Sequence, residues 1–223
     1  MIKLCIFDLD GTLVNSLGDL AAAVNDGLAA RGFPVHPTEA YKNFVGDGVM
    51  KLLERALPAY AADEARISDM REHFNAYYSK HYLDSTAAYD GIAAVLSKLH
   101  SDGITSAVFT NKPQPFALDI CATLFPQTFA YVIGNTTEIP RKPDPYAINL
   151  IMDKYAAEPQ ETVMLGDSNV DIYAAKAAGV HSIGCLWGFR TKRELTDAGA
   201  EIIISSPDEI MGAIQILDKG AML

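Results

Sequence analysis

The sequence predicts an α/β protein in which a doubly wound parallel sheet carries a small helical insert after its first strand. Three observations predict this fold class. Residues 4–7, Leu-Cys-Ile-Phe, form a short apolar run that is typical of strands buried on both faces. Residues 16–88 hold several helical patterns and no convincing strand. From residue 90 onward, strand patterns alternate with amphipathic helices, and this order implies right-handed crossovers and a parallel sheet.

Each element has its own local signal. The insert begins with a helix over residues 19–28, which Asn15 or Ser16 can cap, and Pro37 opens a second, short helix. Two more helices are expected there, at residues 49–56 and 63–82. In the rest of the chain, strands are expected at residues 105–109, 131–133, 162–165, 182–185 and 201–204. The helices between them are expected at residues 92–100, 116–125, 145–155 and 172–178, with a closing helix from residue 208.

Composition narrows the possible partners and the compartment. The 223 residues are 49% hydrophobic and 21% charged, which is typical of a folded protein, and their formal net charge is −10. This acidic balance, without a run of Lys and Arg, disfavours a nucleic-acid partner. The three cysteines are too few and too widely spaced for a disulfide framework or a zinc site. There is no room for a signal peptide before the first strand and no apolar run of the ~18 residues that a membrane span needs, so we expect a cytoplasmic protein without a membrane partner.

Two aspartates directly after the first strand are candidate functional residues. Ligands of open α/β sheets bind at the carboxyl ends of the strands, which is where Asp8 and Asp10 lie. Because side chains alternate along a strand, both carboxylates leave its end on the same side and repel each other unless a cation or a proton lies between them. The alternative is an ordinary turn, since Asp and Gly are common turn residues.

The segment at residues 8–13, DLDGTL, resembles the first motif of the haloacid dehalogenase superfamily. Three further motifs of that superfamily follow in the right order. Thr110 follows a predicted strand, as in the second motif, and residues 142–145, KPDP, resemble the third. Residues 166–171, GDSNVD, resemble the fourth. The motifs extend from residue 8 to residue 171, so the resemblance covers most of the chain and implies a Rossmann-like core.

The resemblance implies a magnesium-dependent phosphatase. Asp8 would attack phosphorus in line to give an aspartyl-phosphate, which water then hydrolyses. Asp10 would protonate the leaving alkoxide and then deprotonate the water. The phosphoryl group would be bound by Thr110, Asn111 and Lys142. The metal ligands would be Asp8, Asp10, Asp167 and Asp171. These four carboxylates and a dianionic phosphate require compensating charge, which Mg²⁺ and Lys142 would supply.

The insert resembles the helical C1-type cap of this superfamily, which closes over the site and excludes water. We therefore expect a core domain of residues 1–15 and 88–223 and a cap domain of residues 16–87. Residues 19–25, 44–48, 52–57 and 187–190 resemble the phosphoglycolate phosphatases within the superfamily. That subgroup implies a small phosphorylated metabolite, 2-phosphoglycolate, as the substrate. The expected substrate contacts are Gly46, Asp47, Gly48 and Arg190.

Several alternatives stay open at this stage. The cation for the carboxylate of phosphoglycolate could be Arg190, Lys51 or Arg55, which the sequence does not rank. A phosphomutase of the β-phosphoglucomutase type shares all four motifs, and a phosphatase for a sugar phosphate, a nucleotide or pyrophosphate would share the chemistry. Asp10 argues against a dehalogenase and against a phosphonate-cleaving enzyme. A non-catalytic binding protein is disfavoured because all the carboxylates and Lys142 are retained. The chain is expected to be a monomer or a homodimer.

Overall fold

The computed structural model describes residues 1–220, and the chain divides into two compact units. One unit comprises Met1–Val14 and the chain from Ala88 onward, and the other is Asn15–Ala87. The first is α/β and the second is helical. Within the described part of the chain, none of the helices combines the length and the apolar character that crossing a membrane requires.

A six-stranded parallel sheet forms the centre of the α/β unit. The strands, in chain order, are β1 (Leu4–Phe7), β2 (Val14–Asn15), β3 (Ala87–Ala88), β4 (Thr105–Pro113), β5 (Tyr131–Asn135), β6 (Thr162–Gly166), β7 (His181–Cys185) and β8 (Ile202–Ile204). The large sheet has the order β5-β4-β1-β6-β7-β8, with every neighbouring pair parallel, while β2 and β3 form a separate two-stranded sheet. The chain winds first to one side of β1 and then to the other. The order of the strands therefore reverses at β1, the point at which open α/β sheets bind ligands.

The helices, in chain order, are α1 (Leu17–Ala30), α2 (Val49–Ala56), α3 (Glu64–His81), α4 (Ile92–Ser101), α5 (Gln114–Leu124), α6 (Tyr146–Tyr155), α7 (Asn169–Ala178), α8 (Lys192–Ala198) and α9 (Ile210–Gly220). Every residue of β1 and β6 is buried, as expected of central strands that helices cover on both faces. Ile6 and Met164 of these strands pack in one core with Phe109 of β4 and Ile148 of α6. The predicted α/β fold class with a parallel sheet is confirmed.

The helical unit contains α1–α3 and the short 3₁₀ helices Thr38–Asn43 and Ala59–Ala61. Its core is aromatic as well as aliphatic: Phe74 and Tyr78 of α3 stack with their ring centroids 4.9 Å apart, and both are buried. The Asp63 side chain accepts the Arg66 N–H at 2.9 Å and caps α3. The function of this unit as a cap domain stays a prediction.

A buried carboxylate joins distant parts of the helical unit. Asp19 of α1 is 3% exposed. Its Oδ1 accepts hydrogen bonds from the Ser85 N–H at 2.9 Å and the Ser85 hydroxyl at 2.5 Å. Its Oδ2 accepts from the Thr86 N–H at 2.8 Å and the Thr86 hydroxyl at 2.7 Å. Neutral donors therefore stabilise this charge.

The structure corrects several predicted elements. The strand expected to end at residue 109 continues to Pro113, because a register shift after Phe109 lets Pro113 pair with Asn135 of β5. The segment opened by Pro37 is a 3₁₀ helix, and the two-residue strands β2 and β3 were not expected. Helix α8 was also missed. It begins where the Thr191 side chain accepts the Glu194 N–H, and at seven residues it is too short to show a clear periodicity.

Candidate active site

Asp8 lies just beyond β1 at the carboxyl edge of the sheet. Its N–H donates to the Leu165 carbonyl of β6 at 2.9 Å, so the residue continues the strand pairing and its backbone is held in place. Asp8 is 8% exposed. Carboxylate oxygens of Asp8, Asp167 and Asp171 lie within 4.8 Å of one another. Two predicted motifs that are far apart in the sequence thus contribute to one cluster.

Lys142 bridges two carboxylates of this cluster. Its Nζ is 2.7 Å from Asp8 Oδ1 and 2.7 Å from Asp171 Oδ1, and its side chain is 1% exposed. Asn111 holds the backbone of the lysine: its Oδ1 accepts the Lys142 N–H at 2.8 Å and its Nδ2 donates to the Lys142 carbonyl at 3.3 Å. Asn111 was predicted to bind phosphate. Here its amide orients Lys142, and the contact with phosphate stays a prediction.

Asp171 has two structural roles at the start of α7. Its Oδ2 accepts the Ser168 N–H at 3.0 Å and the Ser168 hydroxyl at 2.6 Å, which completes a capping box. Its Oδ1 is the atom that contacts Lys142. The helix start therefore orients the carboxylate toward the cluster.

Asp10 is paired with a different lysine. Lys112 Nζ lies 3.0 Å from Asp10 Oδ1 and 3.2 Å from Oδ2, and the lysine side chain is 2% exposed. Asp10 is not a member of the three-carboxylate cluster found among the described residues, so its expected role as a metal ligand stays a prediction. Thr110 is buried on β4, and its hydroxyl accepts the Lys112 N–H at 3.3 Å. The sequence had indicated no role for Lys112, because its partner is 102 residues away.

Burial and mutual repulsion control the charge of the cluster. Burial raises the pKa of Asp8 to about 6; Lys142 opposes this rise, whereas Asp171 and Asp10 add to it. The pKa of Asp167 is raised well above its usual value by burial and then by Asp171 and Asp8. Burial acts to lower the pKa of Lys142, but Asp171 and Asp8 outweigh it and the pKa is raised. Two of the three carboxylates of the cluster, Asp8 and Asp171, share the Lys142 ammonium.

The cluster has the composition of a site for a divalent cation. Three buried carboxylates offer hard oxygen ligands, the type that Mg²⁺ and Ca²⁺ prefer. Burial and then repulsion between the carboxylates raise the pKa values of Asp8 and Asp167, and a cation of charge two would oppose both effects. The residues therefore fit a divalent metal.

The predicted substrate residues lie in both units. Arg190 belongs to the α/β unit, in the segment between β7 and α8, and its Nε is 3.2 Å from Glu194 Oε1. Gly46 and Gly48 of the helical unit have φ values of 111° and 85°, conformations that favour glycine, just before α2. Asp47 between them pairs with Arg55 at 2.5 Å. Contact of these residues with a substrate stays a prediction.

Comparison with known proteins identifies the family. Residues 5–185 match the model of the haloacid dehalogenase-like hydrolases. The chain belongs to this family. A phosphoglycolate phosphatase of Vibrio parahaemolyticus is 32% identical over 96% of this chain and 97% of its own length. A phosphoglycolate phosphatase of Pseudomonas putida is 36% identical over 91% of this chain and 76% of its own length.

Solved structures agree with this assignment. A protein described as a predicted phosphoglycolate phosphatase from Haemophilus somnus superimposes with a TM-score of 0.87 at 26% identity, over 96% of this chain and 98% of the other. CbbY from Rhodobacter sphaeroides, in complex with phosphate, superimposes with a TM-score of 0.74 at 25% identity, over 94% of this chain and 96% of the other. The predicted superfamily is confirmed. The prediction of an enzyme of the phosphoric monoester hydrolase class is likewise confirmed by the family and its named relatives.

Proposed function

We propose that this haloacid dehalogenase-like hydrolase is a Mg²⁺-dependent phosphatase that hydrolyses 2-phosphoglycolate through an aspartyl-phosphate on Asp8. The observation that carries the proposal is the environment of Asp8: one of its oxygens is 2.7 Å from the Lys142 ammonium, and Asp167 and Asp171 are within 4.8 Å. The substrate is supported by the names of the Vibrio and Pseudomonas relatives. The CbbY complex supports a phosphate ligand for this fold.

Asp8 has the properties of a nucleophile. Its backbone is fixed by the hydrogen bond to β6, and its side chain by Lys142, so the attacking oxygen has little freedom to move. The ammonium also favours the ionised carboxylate, which is the form that attacks. Lys142 would offset part of the negative charge of the phosphoryl group. Mg²⁺ bound by Asp8, Asp167 and Asp171 would supply the remaining positive charge when present.

Asp10 is suited to transfer protons. It follows Asp8 by two residues, in a turn that the Gly11 N–H closes by donating to the Val14 carbonyl at 2.8 Å. Its side chain is 18% exposed, more than that of Asp8 at 11%, so water can reach it. We assign to it the protonation of the leaving alkoxide and the activation of water. Arg190, whose side chain is 13% exposed, is proposed to bind the carboxylate of the substrate.

The proposal is tested by phosphate release from a panel of small phosphomonoesters, measured with Mg²⁺ and with EDTA. The panel includes 2-phosphoglycolate, sugar phosphates, nucleotides and pyrophosphate. Xylulose-(1,5)bisphosphate belongs in it because a CbbY variant binds that compound. We expect Mg²⁺-dependent release with a preference for 2-phosphoglycolate. Mg²⁺-dependent release that prefers another ester would overturn the substrate alone, and release that persists in EDTA would overturn the metal dependence.

A further inference from the structure

The segment that follows β7 contacts the metal cluster through its backbone. Trp187 Nε1 donates to the Thr12 carbonyl at 2.9 Å, which joins this segment to the turn after β1. Two residues later, the Phe189 N–H donates to Asp167 Oδ2 at 2.7 Å. Gly188 lies between these two donors. The sequence had indicated these residues only as a resemblance to a subgroup, without a role in the reaction.

Gly188 is required for space rather than for its backbone conformation. A Cβ atom built at this position would come within 3.0 Å of the Asp167 side chain and of the Gly11 carbonyl oxygen, closer than real Cβ atoms approach. Gly188 does not have a positive φ, so its φ does not by itself require glycine. An added methyl group would therefore have to displace Asp167 or the backbone of the turn after β1.

The turn after β1 contacts the same carboxylate. Gly11 has a φ of 87°, and a Cβ atom there would lie 2.7 Å from Asp167 Cγ and 2.9 Å from Asp167 Oδ1. The backbones of Gly11 and Gly188 both touch the Asp167 side chain, and the Trp187 hydrogen bond holds the two segments together. The Phe189 N–H binds one oxygen of the Asp167 carboxylate, and the backbone of Gly11 and Gly188 lies around this carboxylate. The orientation of Asp167 is therefore fixed before any cation binds.

We propose that residues 187–189 form a clamp that positions Asp167 for the divalent cation, with Gly188 as its essential member. A ligand that is already oriented loses less conformational freedom when the metal binds. Mutation of a residue that orients a metal ligand typically lowers metal affinity by about 10–100-fold. The clamp acts through Asp167, so these are positioning residues. The proposal rests on the metal site of the proposed function.

The test is a titration of the metal-free protein with Mn²⁺, followed by the loss of the electron paramagnetic resonance signal of the free ion. Mn²⁺ takes the same oxygen ligands as Mg²⁺ and reports binding without turnover. We expect Gly188→Ala to weaken Mn²⁺ binding by about 10-fold or more. Gly212→Ala is the matched control, because a Cβ at that position of α9 meets nothing within 4 Å, and it is expected to bind Mn²⁺ like the wild type. Asp167→Asn gives the reference for loss of a ligand.

Thermal unfolding without metal shows whether each variant is folded. If Gly188→Ala does not fold, Trp187→Phe decides, since it keeps an aromatic ring but loses the donor to Thr12. A several-fold weaker affinity of Trp187→Phe supports the clamp, and wild-type affinity overturns it. Full Mn²⁺ affinity of a folded Gly188→Ala variant also overturns the clamp while leaving the metal site intact. A wild-type protein that binds no Mn²⁺ overturns the metal site itself.

Discussion

Both units of this protein bury an aspartate, and the two carboxylates are stabilised in opposite ways. Asp19 of the helical unit accepts hydrogen bonds from the N–H groups and hydroxyls of Ser85 and Thr86, all of them neutral. Asp8 of the α/β unit lies among other carboxylates and shares the Lys142 ammonium with Asp171. A buried carboxylate with neutral donors on both oxygens has a structural role. A buried carboxylate that shares one cation with other carboxylates indicates a functional site, where a bound ligand would balance the excess negative charge.

The largest effect is expected from Asp8→Asn. The amide cannot form the aspartyl-phosphate, so phosphate release should fall by about 10⁴-fold or more. The fold should survive, because the substitution removes one of three mutually repelling charges. Phosphate release with Mg²⁺ and thermal unfolding without metal are the two measurements. Substantial turnover by the folded variant would contradict the assignment of Asp8 as nucleophile.

The Asp10→Asn variant tests proton transfer to the leaving group separately from the attack of Asp8 on phosphorus. For an alkyl phosphate, whose leaving group must be protonated, we expect a loss of about 10²–10⁴-fold. p-Nitrophenyl phosphate has a leaving group that departs without a proton, so the first burst of nitrophenolate should be much less affected. Rapid mixing resolves this burst from the later hydrolysis of the intermediate. Equal losses for both esters in the first step would argue against Asp10 as the general acid.

The Asp19→Ala variant tests the structural role of the buried aspartate in the helical unit. It leaves the N–H and hydroxyl donors of two residues without their acceptor, and the free energy of unfolding should fall by about 3–5 kcal/mol. Urea denaturation measures this loss. Mn²⁺ affinity should be that of the wild type, since Asp19 is not a member of the carboxylate cluster. A loss of Mn²⁺ affinity in a folded Asp19→Ala protein would break the distinction between the two aspartates.

The smallest effect is expected in the pH dependence of the free energy of unfolding of the metal-free protein. The folded state raises the pKa of Asp8 to about 6 through burial, above the ~3.9 of an unfolded chain. Between these values the folded state holds the proton more strongly, so stability from this group is present below about pH 4 and is lost as the pH rises through about 6. The loss should be about 3 kcal/mol.

This contribution is isolated by comparing the unfolding free energy of wild type and Asp8→Asn between pH 4 and pH 7, since the variant lacks the titrating group. Saturating Mg²⁺ should reverse the trend in the wild type, because the cation favours the ionised carboxylate. Parallel pH profiles of the two metal-free proteins would contradict the raised pKa.

The parts predicted correctly have local signals. Strands β1 and β6 are apolar throughout because both faces of a central parallel strand are covered. The residues of the cluster follow such strands, so the parallel topology alone predicts that they meet at one edge of the sheet. Helix α8 was missed because it is too short for a clear periodicity, whereas two other missed features depend on distant partners. β4 is extended by pairing with β5, and Lys112 acquires its role from Asp10, 102 residues earlier.

The sequence by itself determined the fold class, the family and the identity of the carboxylates and the lysine. Each of these depends on short local motifs, which lie at the ends of strands and the starts of helices. Only the tertiary structure decided which groups pair. Lys142 bridges Asp8 and Asp171, Lys112 pairs with Asp10, and Gly188 lies against Asp167. Charge pairing and close packing act over a few ångströms in space. Of these contacts, the family resemblance implied only the one between Lys142 and Asp8. The chain brings the other partners together only after the sheet has formed, so no local pattern of residues predicts them.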